Sequence, residues 1–247
     1  MTISAVLWDV DDTLFDHSGA ERRGALEFLA GEGLLARYAS PEAAAAHWHA
    51  VSEEWVDRYL AGELGFQAQR RERARVLADR AGMTDAEADA WFAGYLAAYQ
   101  RHWRAFPDVR PALDVLRGGF RHGVLSNSAA FQQDHKLRVV GLRDRFEVLA
   151  CSEELGVAKP AAGAFHAACA ELGLPPEEVA YVGDRWDVDA AGADAAGLMG
   201  VWLDRDGVWL DRDGGQPERE GAAEPRELRR IGGLEELAGL LPGPRPR

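Results

Sequence analysis

Lysine is nearly absent from this chain: Lys136 and Lys159 stand against 26 arginines in 247 residues. That bias reads as the mark of a GC-rich genome, and it makes each lysine worth examining. Cysteine is as scarce. Cys151 and Cys169 are too few and too ordinarily placed for a disulfide framework or a zinc site, so a reducing compartment fits. Positive charge is in deficit, with 28 basic against 41 acidic residues and a net charge of −13. This argues against nucleic acid and anionic membranes as partners, but leaves a small anion open where a site is locally positive. No apolar run approaches membrane-spanning length. Residues 1–4 carry no basic region ahead of an apolar core, so no signal peptide is expected and the expected location is the cytoplasm. A monomer or a homodimer is expected.

What the chain does have is length and apolar content. At 247 residues and 47% hydrophobic, it suits one large domain or one domain carrying an insertion. Its most informative stretch runs from Leu7 to Phe15. The apolar residues Ile3 to Trp8 read as a short buried strand. That strand runs into three carboxylates, Asp9, Asp11 and Asp12. Like charges side by side in a low dielectric repel strongly, so something must neutralise them. A divalent cation is one answer, since hard cations take carboxylate oxygens. An acidic turn with an Asp capping the next helix is the other.

After Phe15 the pattern is helical. Residues 18–34 space Ala25, Leu26, Phe28 and Leu29 as one helix. Ser40-Pro41 starts a second, running through Trp48, Val51, Trp55 and Tyr59 to the breakers Gly62 and Gly65. A third covers residues 66–81 and carries Arg70, Arg71, Arg73 and Arg75. Thr84 and Glu87 form a capping box that opens a fourth, ending near Trp103. From Val109 strands alternate with helices: strands at about 121–125, 146–151, 179–182 and 199–203. Lys136 lies on the helix after Ser128. The alternation predicts an α/β fold with a parallel sheet covered on both faces.

The chemistry-bearing residues sit just past strand ends. Asp9 and Asp11 follow the first strand, Ser126 and Asn127 the second, and Asp184 and Asp189 the fourth. Lys159 lies in the loop after the third. In open parallel sheets those ends form the ligand crevice.

These residues are similar to the four motifs of the haloacid dehalogenase superfamily. They match as Asp9-Val-Asp11-Asp12-Thr13, Ser126-Asn127, Lys159-Pro160, and Gly183-Asp184 through Asp189. Asp12 stands where many members have Gly, and Arg185-Trp186 replaces a smaller pair. The resemblance covers about residues 3–204 and implies a Rossmann-like doubly wound core, residues 1–17 and 105–247. An α-helical cap, residues 18–104, is inserted after the first strand. It implies a Mg²⁺-dependent phosphohydrolase of a small phosphorylated metabolite. Asp9 would be the nucleophile and Asp11 the general acid and base. Mg²⁺ would be held by Asp9, the Asp11 carbonyl and Asp184. Lys159, Ser126, Asn127 and Thr13 would serve the phosphoryl group, and Asp189 would brace Lys159 or a metal-bound water.

Rival readings are a metal-independent 2-haloacid dehalogenase, a phosphonate hydrolase, a phosphomutase and a non-catalytic binding protein. Family dehalogenases lack the second Asp of the first motif, and a phosphonate hydrolase needs a cap lysine that this chain lacks. Two expectations concern residues outside the motifs. Lys136→Ala should be nearly silent, and the arginines of the third helix should mostly form a solvated face. The tail repeats Val201–Gly207 without change as Val208–Gly214, which reads as a hairpin or a duplication, ahead of a flexible loop over residues 214–227. A closing helix is expected over residues 234–241.

Overall fold

The computed structural model describes residues 2–205 and 229–243. The second repeat copy and the loop after it lie outside the described residues. Two compact units are present: the described residues up to Phe15 together with those from Ala105 on, and Asp16–Arg104.

The first unit is built on six strands: β1 (Ala5–Trp8), β2 (Arg121–Ser126), β3 (Val148–Cys151), β4 (Val179–Gly183), β5 (Met199–Leu203) and β6 (Arg229–Ile231). All neighbours pair in parallel, in the order β3-β2-β1-β4-β5-β6. β1 and β4 are buried along their whole length, as strands covered on both faces must be. The order reverses between β1 and β4, which places the crevice of a doubly wound sheet at their carboxyl ends. β6 goes unseen in the sequence because a three-residue segment with two arginines has almost no period to read. Its charges suit an edge strand.

The helical unit holds α1 (His17–Gly31), α2 (Pro41–Leu60), α3 (Phe66–Leu77) and α4 (Asp85–Arg101). Ser40 caps α2, and Thr84 with Glu87 forms the capping box of α4. α3 stops earlier than its periodicity predicts because Asp79 takes a left-handed conformation, φ 54°. An aromatic cluster fills the interior: Phe28 meets Trp91 edge-on at 4.7 Å, and Trp48 lies 4.4 Å from Tyr95. Gly24 lets α1 approach α4, since a Cβ there would sit 2.6 Å from the Tyr99 Cα.

The arginines of α3 are not a solvated face. Arg73 is buried, donates to Ser52 Oγ at 2.6 Å and lies 3.5 Å from the buried Glu21. Arg71 grips Asp89 and Asp85, Arg75 grips Glu72 and Asp85, and Arg70 lies over the Phe66 ring. Helical spacing places these side chains but does not reveal that other helices carry matching carboxylates.

The remaining helices belong to the sheet unit: α5 (Val109–Leu116), α6 (Ala130–Val139), α7 (Ser152–Leu155), α8 (Ala162–Leu172), α9 (Ala191–Ala195) and α10 (Leu237–Leu240). Ala5 and Leu7 face a core shared with Phe165 and Leu172 of α8 and Ala193 of α9. By strand alternation Val6 and Trp8 point to the opposite face, where the Trp8 indole donates to His122 Nδ1 at 3.1 Å. The closing helix is shorter than expected, a 3₁₀ turn at Leu234–Glu236 leading into α10.

Candidate active site

The site is assembled at the carboxyl ends of β1, β2 and β4 and in the loop before α8. Asp9 follows β1 directly and is buried, 7% exposed. Lys159 is 5% exposed, and its ammonium donates to Asp9 Oδ1 at 2.7 Å, Asp189 Oδ1 at 2.7 Å and the Tyr181 hydroxyl at 2.6 Å. Burial alone would push that ammonium down, but Asp189 and Asp9 more than offset it and hold Lys159 above its ordinary value. The Tyr181 hydroxyl in turn donates a hydrogen bond to the Leu125 carbonyl at 2.9 Å. Burial, with three carboxylates nearby, keeps its phenol protonated well above the usual range.

Asp189, not the exposed Asp187, reaches Lys159. The reason lies in the backbone. The segment after Asp184 enters α9 through a π-helical turn, Trp186–Ala190. Within that turn Asp189 Oδ2 accepts the Arg185 N–H at 3.0 Å. Gly183 is required here because a Cβ at that position would overlap the Asp189 carboxylate.

Asn127 clamps the lysine backbone. Its Oδ1 accepts the Lys159 N–H and its Nδ2 donates to the Lys159 carbonyl, both at 2.8 Å. Thr13 is fully buried, with its hydroxyl 3.3 Å from Asp184 Oδ1. Its carbonyl accepts from Arg205 at 2.8 Å, and Arg205 also grips Asp108 at 2.8 Å. The end of β5 therefore reaches the loop after β1, a link that the repeat in the sequence conceals. Asp12 has φ 59°, which explains why Gly is usual at that position and why a short polar residue is the tolerated alternative.

Asp9, Asp184 and Asp189 bring carboxylate oxygens within 4.8 Å of one another. Burial raises Asp9 to about 7; Lys159 opposes the rise, and Asp189 and Asp11 add to it. Burial and the charges of Asp9 and Asp189 also carry Asp184 well above its ordinary value. With all three carboxylates ionised, one ammonium would leave negative charge in excess, in a donor set made of oxygen. That set fits a hard divalent cation. Asp9 and Asp184 are the side chains placed to hold it, with Asp189 turned through its two oxygens to Lys159 and the Arg185 N–H.

Lys136, expected to be nearly silent, is placed by the fold against Asp11. It is 7% exposed, and its ammonium donates to Asp11 Oδ1 at 2.6 Å above the Phe15 ring. Gln133, one turn earlier on α6, donates to Asp11 Oδ2 at 2.9 Å and to Ser126 Oγ at 3.1 Å. The rarity of lysine was the only sequence signal for Lys136, and Gln133 had none.

A family model described as haloacid dehalogenase-like hydrolase matches residues 3–197. A glyceraldehyde 3-phosphate phosphatase of Methanopyrus kandleri is 35% identical over 210 residues, covering 82% of this chain and 84% of its own. A phosphoserine phosphatase of Thermus thermophilus is 34% identical over 177 residues, covering 70% and 64%. Among solved structures, the magnesium-bound hydrolase YfnB of Bacillus subtilis shares the fold at a TM-score of 0.73 and 20% identity, covering 98% of this chain and 99% of its own. A 2-haloacid dehalogenase of Pseudomonas syringae matches with a TM-score of 0.67 and 27% identity, covering 97% and 98%. With the family model spanning most of its length, this chain belongs to the haloacid dehalogenase-like hydrolases.

Proposed function

We propose that this enzyme is a Mg²⁺-dependent phosphatase that hydrolyses a small phosphorylated metabolite through an aspartyl-phosphate on Asp9. The observation that carries the reading is the buried Lys159 ammonium, shared by Asp9 and Asp189 beside Asp184. A phosphate dianion could not approach those carboxylates without cations. When bound by Asp9, Asp184 and the Asp11 carbonyl, Mg²⁺ would neutralise charge on the phosphoryl oxygens.

The residues of the chain do the rest. An Asp9 oxygen attacks phosphorus while the bond to the leaving oxygen breaks. Asp11 protonates that oxygen, then takes a proton from the water that cleaves the aspartyl-phosphate, releasing phosphate and restoring Asp9. Lys159 steadies the charge on the nucleophile and the phosphoryl group. Ser126 and the backbone N–H groups near Asn127 receive the equatorial oxygens. Asp189 and Tyr181 hold Lys159 in place. We assign substrate selection to the helical unit and the setting to the cytoplasm, which suits two buried free thiols.

Two curated relatives named as phosphatases support this reading. Asp11 favours it over the dehalogenase, because an alkoxide leaving group needs a proton and halide does not. The test is a screen of phosphorylated metabolites with Mg²⁺, scored by phosphate release with and without chelator. Mg²⁺-dependent release is expected. Full activity in excess chelator would refute the metal assignment. Halide release from 2-chloropropionate with no ester cleaved would refute the phosphatase.

A further inference from the structure

Asp11 lies two residues beyond Asp9, on a loop rather than in the sheet. A general acid and base must reach one oxygen accurately, because a displacement of about 1 Å can cost about 100-fold in rate. Something must therefore fix its carboxylate. In this chain both oxygens accept from α6, Oδ1 from Lys136 at 2.6 Å and Oδ2 from Gln133 at 2.9 Å. Both donors are buried, Gln133 at 0% and Lys136 at 7% exposure. They stand three residues apart, so one face of one helix presents them together. The Phe15 ring, 5.1 Å from the Lys136 ammonium, flanks it from the loop that carries Asp11.

Gln133 does a second thing. The same amide nitrogen donates to Ser126 Oγ at 3.1 Å. A hydroxyl has one proton to give, so Ser126, accepting here, keeps that proton for another acceptor. The residue placed at the leaving oxygen and the residue placed at an equatorial oxygen are thus tied through one side chain.

We propose that Lys136 and Gln133 are positioning residues for phosphoryl transfer. They act through Asp11, and Gln133 additionally presents the Ser126 hydroxyl as a donor. This rests on the phosphatase reading above. The two lysines of the chain then divide the site, Lys159 serving the nucleophile and Lys136 the acid and base.

The test is a double-mutant cycle on the full chain with saturating Mg²⁺. Glycerol phosphate and p-nitrophenyl phosphate are the substrates. Lys136→Met should lower kcat on glycerol phosphate by about 10- to 100-fold, less on the aryl ester, with KM within about 3-fold. In an Asp11→Asn background the same substitution should cost less than about 3-fold, because its target is already gone. Lys136→Arg should recover part of the loss, and Gln133→Leu should show the same dependence on Asp11. If Lys136→Met does not fold by circular dichroism, Lys136→Arg and Gln133→Leu in both backgrounds decide the matter. Equal losses with and without Asp11, a change in KM alone, or an unchanged kcat would overturn the proposal while leaving the phosphatase standing. A wild-type chain that releases no phosphate would overturn both.

Discussion

Lys159→Met removes the one ammonium that touches both Asp9 and Asp189 and keeps most of the side-chain volume. The buried site then holds Asp9, Asp184 and Asp189, with oxygens within 4.8 Å of one another, and loses its internal counter-charge. Breaking a buried ion pair by deleting one partner costs about 3–5 kcal/mol. Lys159 is 5% exposed, so solvent screening relieves little of that cost. The stability loss should appear in urea melts at neutral pH without metal. Added Mg²⁺ should recover part of it, by replacing the missing cation. Activity should fall further. A donor aimed at developing charge in a dry site is worth about 10²–10³ in kcat, and Lys159 also holds Asp9, the proposed nucleophile. The assay is steady-state phosphate release with saturating Mg²⁺. A variant that keeps kcat within about 3-fold of wild type would refute the electrostatic reasoning.

Other perturbations probe separate parts of the site. Asp11→Asn should slow alkyl phosphates more than aryl phosphates with good leaving groups; equal slowing would remove Asp11 from proton transfer. Gly183→Ala places a methyl on the Asp189 carboxylate and should cost about 10- to 100-fold in kcat by loosening Lys159; an unchanged kcat would show that Asp189 is dispensable. Burial pushes His122 down to about 4 from 6.5. The unfolded chain therefore takes up this proton first, and stability is lost as pH falls from about 6.5 to 4, by about 3 kcal/mol in all. Urea melts of wild type and His122→Gln across that window should differ in slope, and identical slopes would refute the assignment.

The residues legible in the sequence are those that end apolar runs. Asp9, Ser126 and Asp184 each follow a buried strand, and parallel strands must deliver their ends to one edge, so the convergence follows from the alternation alone. Lys159 was legible by motif order. Lys136 and Gln133 were not, because a side chain's direction on α6 depends on how that helix is rotated against the sheet. No local pattern carries that rotation. Tyr181 read only as a buried strand residue, since nothing in an apolar run marks the one hydroxyl that meets an ammonium. The burial of Arg73 is illegible for a related reason. An arginine's stem packs as readily as its head solvates, and its carboxylate, Glu21, is far away in sequence. β6 was missed because three residues are too short to show a period.

In the proposed reaction Asp9 carries the phosphoryl group. Rapid acid quench of wild-type enzyme turning over p-nitrophenyl phosphate with Mg²⁺, followed by peptide mass mapping, tests it directly. One phosphoryl group on Asp9, absent from Asp9→Asn, is expected. Phosphate release with no adduct on Asp9, and undiminished in Asp9→Asn, would contradict it.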